Sequence, residues 1–353
     1  MSLLTWEERF QLARRFAPRL VLFPEDHARA RPGKQTERIG DYHPRPIELL
    51  LERGALWRGW FTPRQPATLD ALAACTSADD QLILLGKPLP NPDFAWDLYF
   101  ELLDHARFPL TTYARVQTRG EARAASRDAN AIGKDAPLES DEVGRPFYHA
   151  PRAADDDVSI QYWFCYFYDD WANQHEGDWE GICVFLRRDG AEYTPVGASY
   201  YAHETGTRRH WAEVEKAEGD HPRVYVAAGS HASFFQFVAR GYVTTVKNLI
   251  VPVLGLKLNI GFATQRVDRV PDARECAPLA PRVELLPDPV APAHRDDAAV
   301  RHKKWLAFPG RWGARLLSGL VYGGPLGPSH KGLKWHNPFV WMERYCAPDY
   351  LVY

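Results

Sequence analysis

The chain has no close pair of cysteines. Its five, Cys75, Cys165, Cys183, Cys276 and Cys346, are scattered over 353 residues without a CxxC. A disulfide scaffold uses more cysteines at short spacings, so that class is excluded and a reducing compartment is favoured. Cys165 and Cys183 lie in apolar runs and read as buried thiols. An excess of one charge is also missing: 43 basic residues stand against 45 acidic ones, a formal net charge of -2. That balance lacks the electrostatic footprint of a general nucleic-acid binder. Lysine is scarce, 10 against 33 arginines, so a carboxylate in need of a partner has guanidinium groups available. No apolar run reaches the ~20 residues that a spanning helix requires; the longest lies near Leu249–Ala263 and contains Pro252 and Lys257. No basic segment followed by an apolar core opens the chain. These absences predict a soluble, cytoplasmic protein, with peripheral membrane contact left open.

Nucleophile motifs are missing as well. There is no GxSxG, no Walker A, no GxGxxG after a strand and no HExxH,. Gly229-Ser230-His231 sets a serine beside a histidine, but adjacent strand residues face opposite ways, so the pair does not make a dyad.

What is present is globular: 45% hydrophobic and 25% charged residues,. The expected organisation is a single elaborated domain over 1–353. Thr5 with Glu8 three residues on predicts a capped helix to about Phe16. Residues 1–57 then form a helix and strand segment, with a strand at Arg19–Phe23 and a short helix at Ile47–Arg53. Residues 118–146 are polar and small, with no sustained period, and read as a surface insertion. Residues 158–238 hold the central strands: Val158–Tyr168, Asp178–Leu186, Thr194–Ala202 and Arg223–Ala228, dense in β-branched and aromatic residues. No βαβ spacing separates them, so the predicted fold is mainly β, an antiparallel β-sandwich with peripheral short helices and long loops. The tract Pro271–Val300 has six prolines and begins an extended Pro, Gly and Trp-rich arm over 271–353.

Chemistry concentrates in Asp169-Asp-Trp-Ala-Asn-Gln-His-Glu-Gly-Asp-Trp-Glu180. Eight of these twelve residues offer a side-chain oxygen or imidazole, and the run lies between two apolar strands. Strand alternation points Asp178 and Glu180 the same way, with Cα atoms roughly 6.5–7 Å apart. Like charges held together at a desolvated rim repel, and something must offset them. A divalent ion does so directly, because Asp and Glu oxygens with His175 suit Ca²⁺, Mg²⁺, Mn²⁺ or Zn²⁺. The alternative is that arginines pair with the acids. His231, in the small-residue turn Gly229-Ser-His-Ala232, and His203, at the end of a strand, are candidates from elsewhere in the chain. Asp169 and Asp170 are further candidate metal ligands. Trp171, Trp179 and His203 are candidate contacts to a ligand, though the two indoles can equally be packing residues.

His175-Glu-Gly-Asp-Trp-Glu180 followed by an apolar strand, then Gly229-Ser-His-Ala232, resembles the Vps62-related (DUF946) family. Phe16-Ala-Pro18 through Phe23-Pro-Glu25 to Tyr42-His-Pro44 resembles that family's opening segment. Phe308-Pro-Gly-Arg-Trp-Gly313 and Gly327-Pro328 to Lys331 and Trp335 resemble its closing one. The HEGDWE segment is also distantly similar to the GHRHDWE heptad of the necrosis-inducing NLP proteins, with Glu176-Gly177 where that heptad has Arg-His. Those proteins are β-sandwiches that hold a divalent cation in an acidic cavity and recognise sphingolipid headgroups. The resemblance implies Asp178 as a direct metal ligand, with Glu180 and His175 bound directly or through water. It also implies His231 as the remote histidine, and Asp169 or Asp170 as the preceding acid.

Three functions follow as expectations. The first is a metal-organised pocket that binds a polar small molecule or lipid headgroup. The second is a metal-dependent hydrolase of an ester or phosphodiester, with Glu180 or His175 as general base. The third is a structural role without metal.

Overall fold

A computed structural model of the chain describes residues 4–25, 41–58, 64–84, 92–128, 154–171, 174–203, 205–246, 249–253, 256–260, 264–287, 302–314 and 324–348. Helix α1 (Trp6–Arg15) starts on the expected capping box: the Glu8 amide donates to Thr5 Oγ1 at 3.2 Å, and the Thr5 amide donates to Glu8 Oε2 at 2.7 Å,. It leads into β1 (Arg19–Val21).

The core of the molecule is a seven-stranded sheet. Its middle is formed by β2 (Thr111–Thr118), β3 (Val158–Asp169), β4 (His175–Asp189), β5 (Glu192–Ala202) and β6 (Thr205–His210), each antiparallel to the next. A second sheet is built on β7 (His221–Val226), which runs parallel to β1. Two edge strands complete the large sheet, and both pair in parallel: β8 (Arg282–Leu285) on β2 and β9 (Cys346–Pro348) on β6. Strand outweighs helix and the pairing is mostly antiparallel, as the aromatic and β-branched runs imply.

The two faces of the large sheet carry different covers. On one, the Tyr162 hydroxyl donates to the carbonyl of Ala13 in α1, and Tyr200 stacks on Phe235 beyond β7 at 3.7 Å. On the other, Arg115 donates to the carbonyl of Trp335, and Trp163 lies 6.1 Å from the Trp335 ring. The C-terminal segment therefore packs on the sheet and extends its edge.

One expectation needs correction. Residues 118–146 do not begin as a loop: α2 (Arg119–Asp128) follows β2 directly. It starts on a second capping box, in which the Glu121 amide donates to Thr118 Oγ1 and the Thr118 amide to Glu121 Oε2,. Residues 129–146 lie outside the described residues, as does 288–300 of the Pro-rich tract. The strand expected at Arg223–Ala228 forms as β7, in the second sheet, where its backbone pairs with β1. Among the described residues, no helix is long and apolar enough to cross a membrane.

Candidate metal centre

The acidic run closes the hairpin between β3 and β4. Asp169 lies opposite His175, and Tyr166 lies opposite Asp178. Ordinary alternation would send His175 and Asp178 to opposite faces. Gly177 interrupts it with φ +62°, and a Cβ there would lie 2.5 Å from the carbonyl oxygen of Trp312. Only glycine meets both demands. Beyond this kink one donor atom each of Asp169, His175 and Asp178 lies within 4.8 Å of the others. All three residues are buried.

The hydrogen bonds fix the donors. His175 Nδ1 lies 2.7 Å from the Gly177 carbonyl. A carbonyl only accepts, so Nδ1 carries the proton and Nε2 keeps its lone pair, 3.6 Å from Asp169 Oδ2,. A metal-ligating histidine is commonly oriented this way, with its other N–H on a carbonyl. The Trp171 amide donates to Asp169 Oδ1 at 2.9 Å, and the Trp179 amide to Asp178 Oδ1 at 2.8 Å.

His231 enters from the turn after β7. It sits at φ +56°, and its Nδ1 bonds Asp178 Oδ2 at 2.9 Å. Its ring stacks on Tyr166 with centroids 3.8 Å apart. The Gly229 carbonyl accepts the Asp170 amide at 3.1 Å, tying this turn to the hairpin. His231 Nε2, Glu180 Oε2 and the hydroxyls of Tyr166 and Tyr168 are buried with no hydrogen-bond partner among the described residues. Buried polar atoms rarely go unsatisfied, and these four belong to the two hairpin strands and the turn that carries His231,.

Electrostatics separate the two aspartates. Burial and the neighbouring Asp178 raise Asp169 to about 8. Burial also opposes charge on Asp178, but the His231 hydrogen bond and nearby positive groups outweigh it and lower its pKa. Burial keeps His175 neutral by lowering its pKa. Proton binding is thus favoured on Asp169 and disfavoured on Asp178 and His175. Burial pushes Glu180 up to about 7, with Lys334 opposing and Asp178 adding to the rise.

The other expected residues fall in several places. Glu180 stands outside the three-residue group. Asp170 also stands outside it and accepts from Gln174 at 2.8 Å. His203 and Trp171 stack on each other at 4.6 Å. His203 adopts φ +59° and bonds Asp268 at 3.2 Å. Burial disfavours charge on its ring, yet Asp268 outweighs that and raises it to about 9. Trp179 is a correction. Its side chain is fully buried, stacked on Trp305 at 5.3 Å and edge-on to Trp312, so it packs and cannot touch a ligand. Glu176 also serves the fold: its Oε2 accepts the amides of Leu84 and Ala314 at 3.0 and 3.1 Å.

Sequence reasoning missed three contributors. Asp268 anchors both His203 and Ser230. Lys331 and Lys334 donate to the carbonyls of Trp179 and His203. No local spacing signals these, because the partners are distant in sequence. Comparison of the chain with protein-family models, with curated proteins and with solved structures finds no match.

Proposed function

We propose that this protein binds a divalent cation at Asp169, His175 and Asp178 and uses it to hold a polar ligand, such as a lipid headgroup or sugar. The observation that carries this reading is the meeting of three buried donors at the Gly177 kink, with the His175 lone pair left free by its bond to a carbonyl. Donors bonded to one ion at ~2.1 Å lie at most about 4.2 Å apart, so the 3.6 Å between His175 Nε2 and Asp169 already suits a shared ion,. An imidazole among the donors favours Zn²⁺ or Mn²⁺ over Ca²⁺ or Mg²⁺. His231 orients Asp178 from behind. Of the residues the family resemblance names, Asp169, His175 and Asp178 form the group and His231 bonds Asp178, whereas Glu180 and Asp170 stand outside it. A sandwich arrangement of sheets and a kinship with the Vps62-related family belong to this proposal.

The test is metal content. Protein stripped with a chelator and reloaded with Zn²⁺ or Mn²⁺ is expected to retain one ion per chain, and Asp178→Ala to retain none while staying folded. Equal retention by both would overturn the assignment.

A second reading rests on Glu180. It is buried, carries an unpartnered oxygen and titrates near neutrality, which suits a general base in a hydrolase. The ion would supply Lewis acidity to an ester or phosphodiester. Turnover of an ester or phosphodiester panel that disappears in Glu180→Gln, with metal content unchanged, would favour the enzyme. Metal-dependent retention on liposomes or glycans without turnover would favour the binding module.

A further inference from the structure

A second site lies away from the hairpin and shares no residue with it. Between the last turns of α1 and the segment leading into β8 is a cleft of about 640 Å³, within the usual range for small-molecule sites,. Arg14, Arg15, Arg19, Arg282 and His221 line it, and no Asp or Glu does.

These guanidiniums are held but not used up. Arg15 bonds Asp220 at 2.9 Å, Arg19 bonds Glu218 at 2.8 Å, and Arg282 bonds Glu284. Each carboxylate stands outside the lining and engages one edge of its guanidinium, which has five donors. Arg14 has no ion pair among the described residues and lies over the Phe10 ring at 5.8 Å. Glu284 is further shared with Lys303. Counting the charged groups bonded to the lining, five cations, Arg14, Arg15, Arg19, Arg282 and Lys303, stand against four carboxylates, Asp220, Glu218, Glu284 and Glu7, the last accepting from Gln11. The carbonyl end of α1 opposes an anion here with about half a charge, too little to reverse that excess. Phe10, Pro281 and Val283 give the cleft an apolar wall.

We propose that this cleft binds an organic phosphate, with its anionic group among Arg14, Arg19 and Arg282 and its apolar part against Phe10, Pro281 and Val283. Planar guanidiniums donate in pairs to phosphate oxygens, and a tetrahedral dianion accepts from several at once. The ligand is recognised by the cleft alone, whether or not the metal centre is filled.

The experiment is calorimetric titration of the full chain at low salt with phenyl phosphate, inorganic phosphate, benzoate and phenol. Phenyl phosphate is expected to bind most tightly, phenol not at all, and added salt to weaken binding. The Arg14→Gln, Arg282→Gln double variant alters two exposed side chains and should keep the thermal transition while losing about tenfold or more in affinity. Arg14→Gln alone, which breaks no ion pair, should lose part of it. Metal uptake at Asp178 should not change in either variant, so failure here is distinguishable from failure of the metal assignment. No binding of phenyl phosphate, equal binding of phenol or benzoate, or full affinity in the double variant would each overturn the proposal.

Discussion

Two buried polar clusters in this molecule solve the same problem differently. Near the start of the chain, Glu25 is enclosed by Arg45, Tyr99 and the His43 amide. Arg45 also donates to Tyr99 Oη and to the Phe108 carbonyl. Every charge there has an opposite partner and a hydrogen bond, as a permanent buried ion pair requires. At the β3–β4 hairpin, Asp169 and Asp178 are equally buried, yet no guanidinium or ammonium group bonds either of them among the described residues. Histidines stand there instead, with unpartnered atoms around them. The chain is rich in arginine and uses one where a charge must stay buried. The proposed cation site rests on that contrast: among the described residues no arginine or lysine fills the role at the hairpin.

The largest effect that sharpens this contrast is expected at Arg45. Arg45→Met strands Glu25 in the interior and should cost about 3–5 kcal/mol of stability, read by urea unfolding. Next comes Asp178→Asn. It should lower metal affinity by more than the ~10–100-fold typical of outer partners, while the chelated protein melts close to wild type. A collapse of the fold in Asp178→Asn, with little change in Arg45→Met, would reverse the comparison. Glu176→Gln sits two residues from Asp178 but its carboxylate ties the hairpin to the chain at Leu84 and Ala314, so it should cost about 1–3 kcal/mol and leave the metal stoichiometry intact.

The smallest effect is a pH slope. His203 titrates near 9 in the folded state against 6.5 in the unfolded chain. Its stabilising contribution is complete below 6.5 and is lost as pH rises through 9. The melting temperature of the chelated protein should therefore fall over that window, and His203→Asn should flatten the decline. Asparagine tolerates the left-handed backbone at this position. An identical slope in the variant would remove His203 from the account.

The long strands and the acidic run between them were legible because local composition dictates them: Val158–Tyr168 is nearly continuous aromatic and β-branched sequence. The membership of the site was legible only in part. Strand alternation pairs Asp178 with Glu180, whereas the structure groups Asp178 with Asp169 and His175. The left-handed turn at Gly177 brings His175 to the side of Asp178, and an isolated glycine within a strand pattern is the signal that alternation can break there,. The helix after Thr118 carried a readable Thr-x-x-Glu signature that its small polar residues obscured. The Asp268 bond to His203 spans 65 positions and depends on the strand Thr264–Asp268 reaching the end of β5, which no local pattern records.

The most direct test is anomalous diffraction from crystals soaked in Mn²⁺ or Zn²⁺. One strong peak within bonding distance of Asp169, His175 Nε2 and Asp178 is the predicted result. Well-ordered side chains at full soaking concentration with no peak among them would contradict it.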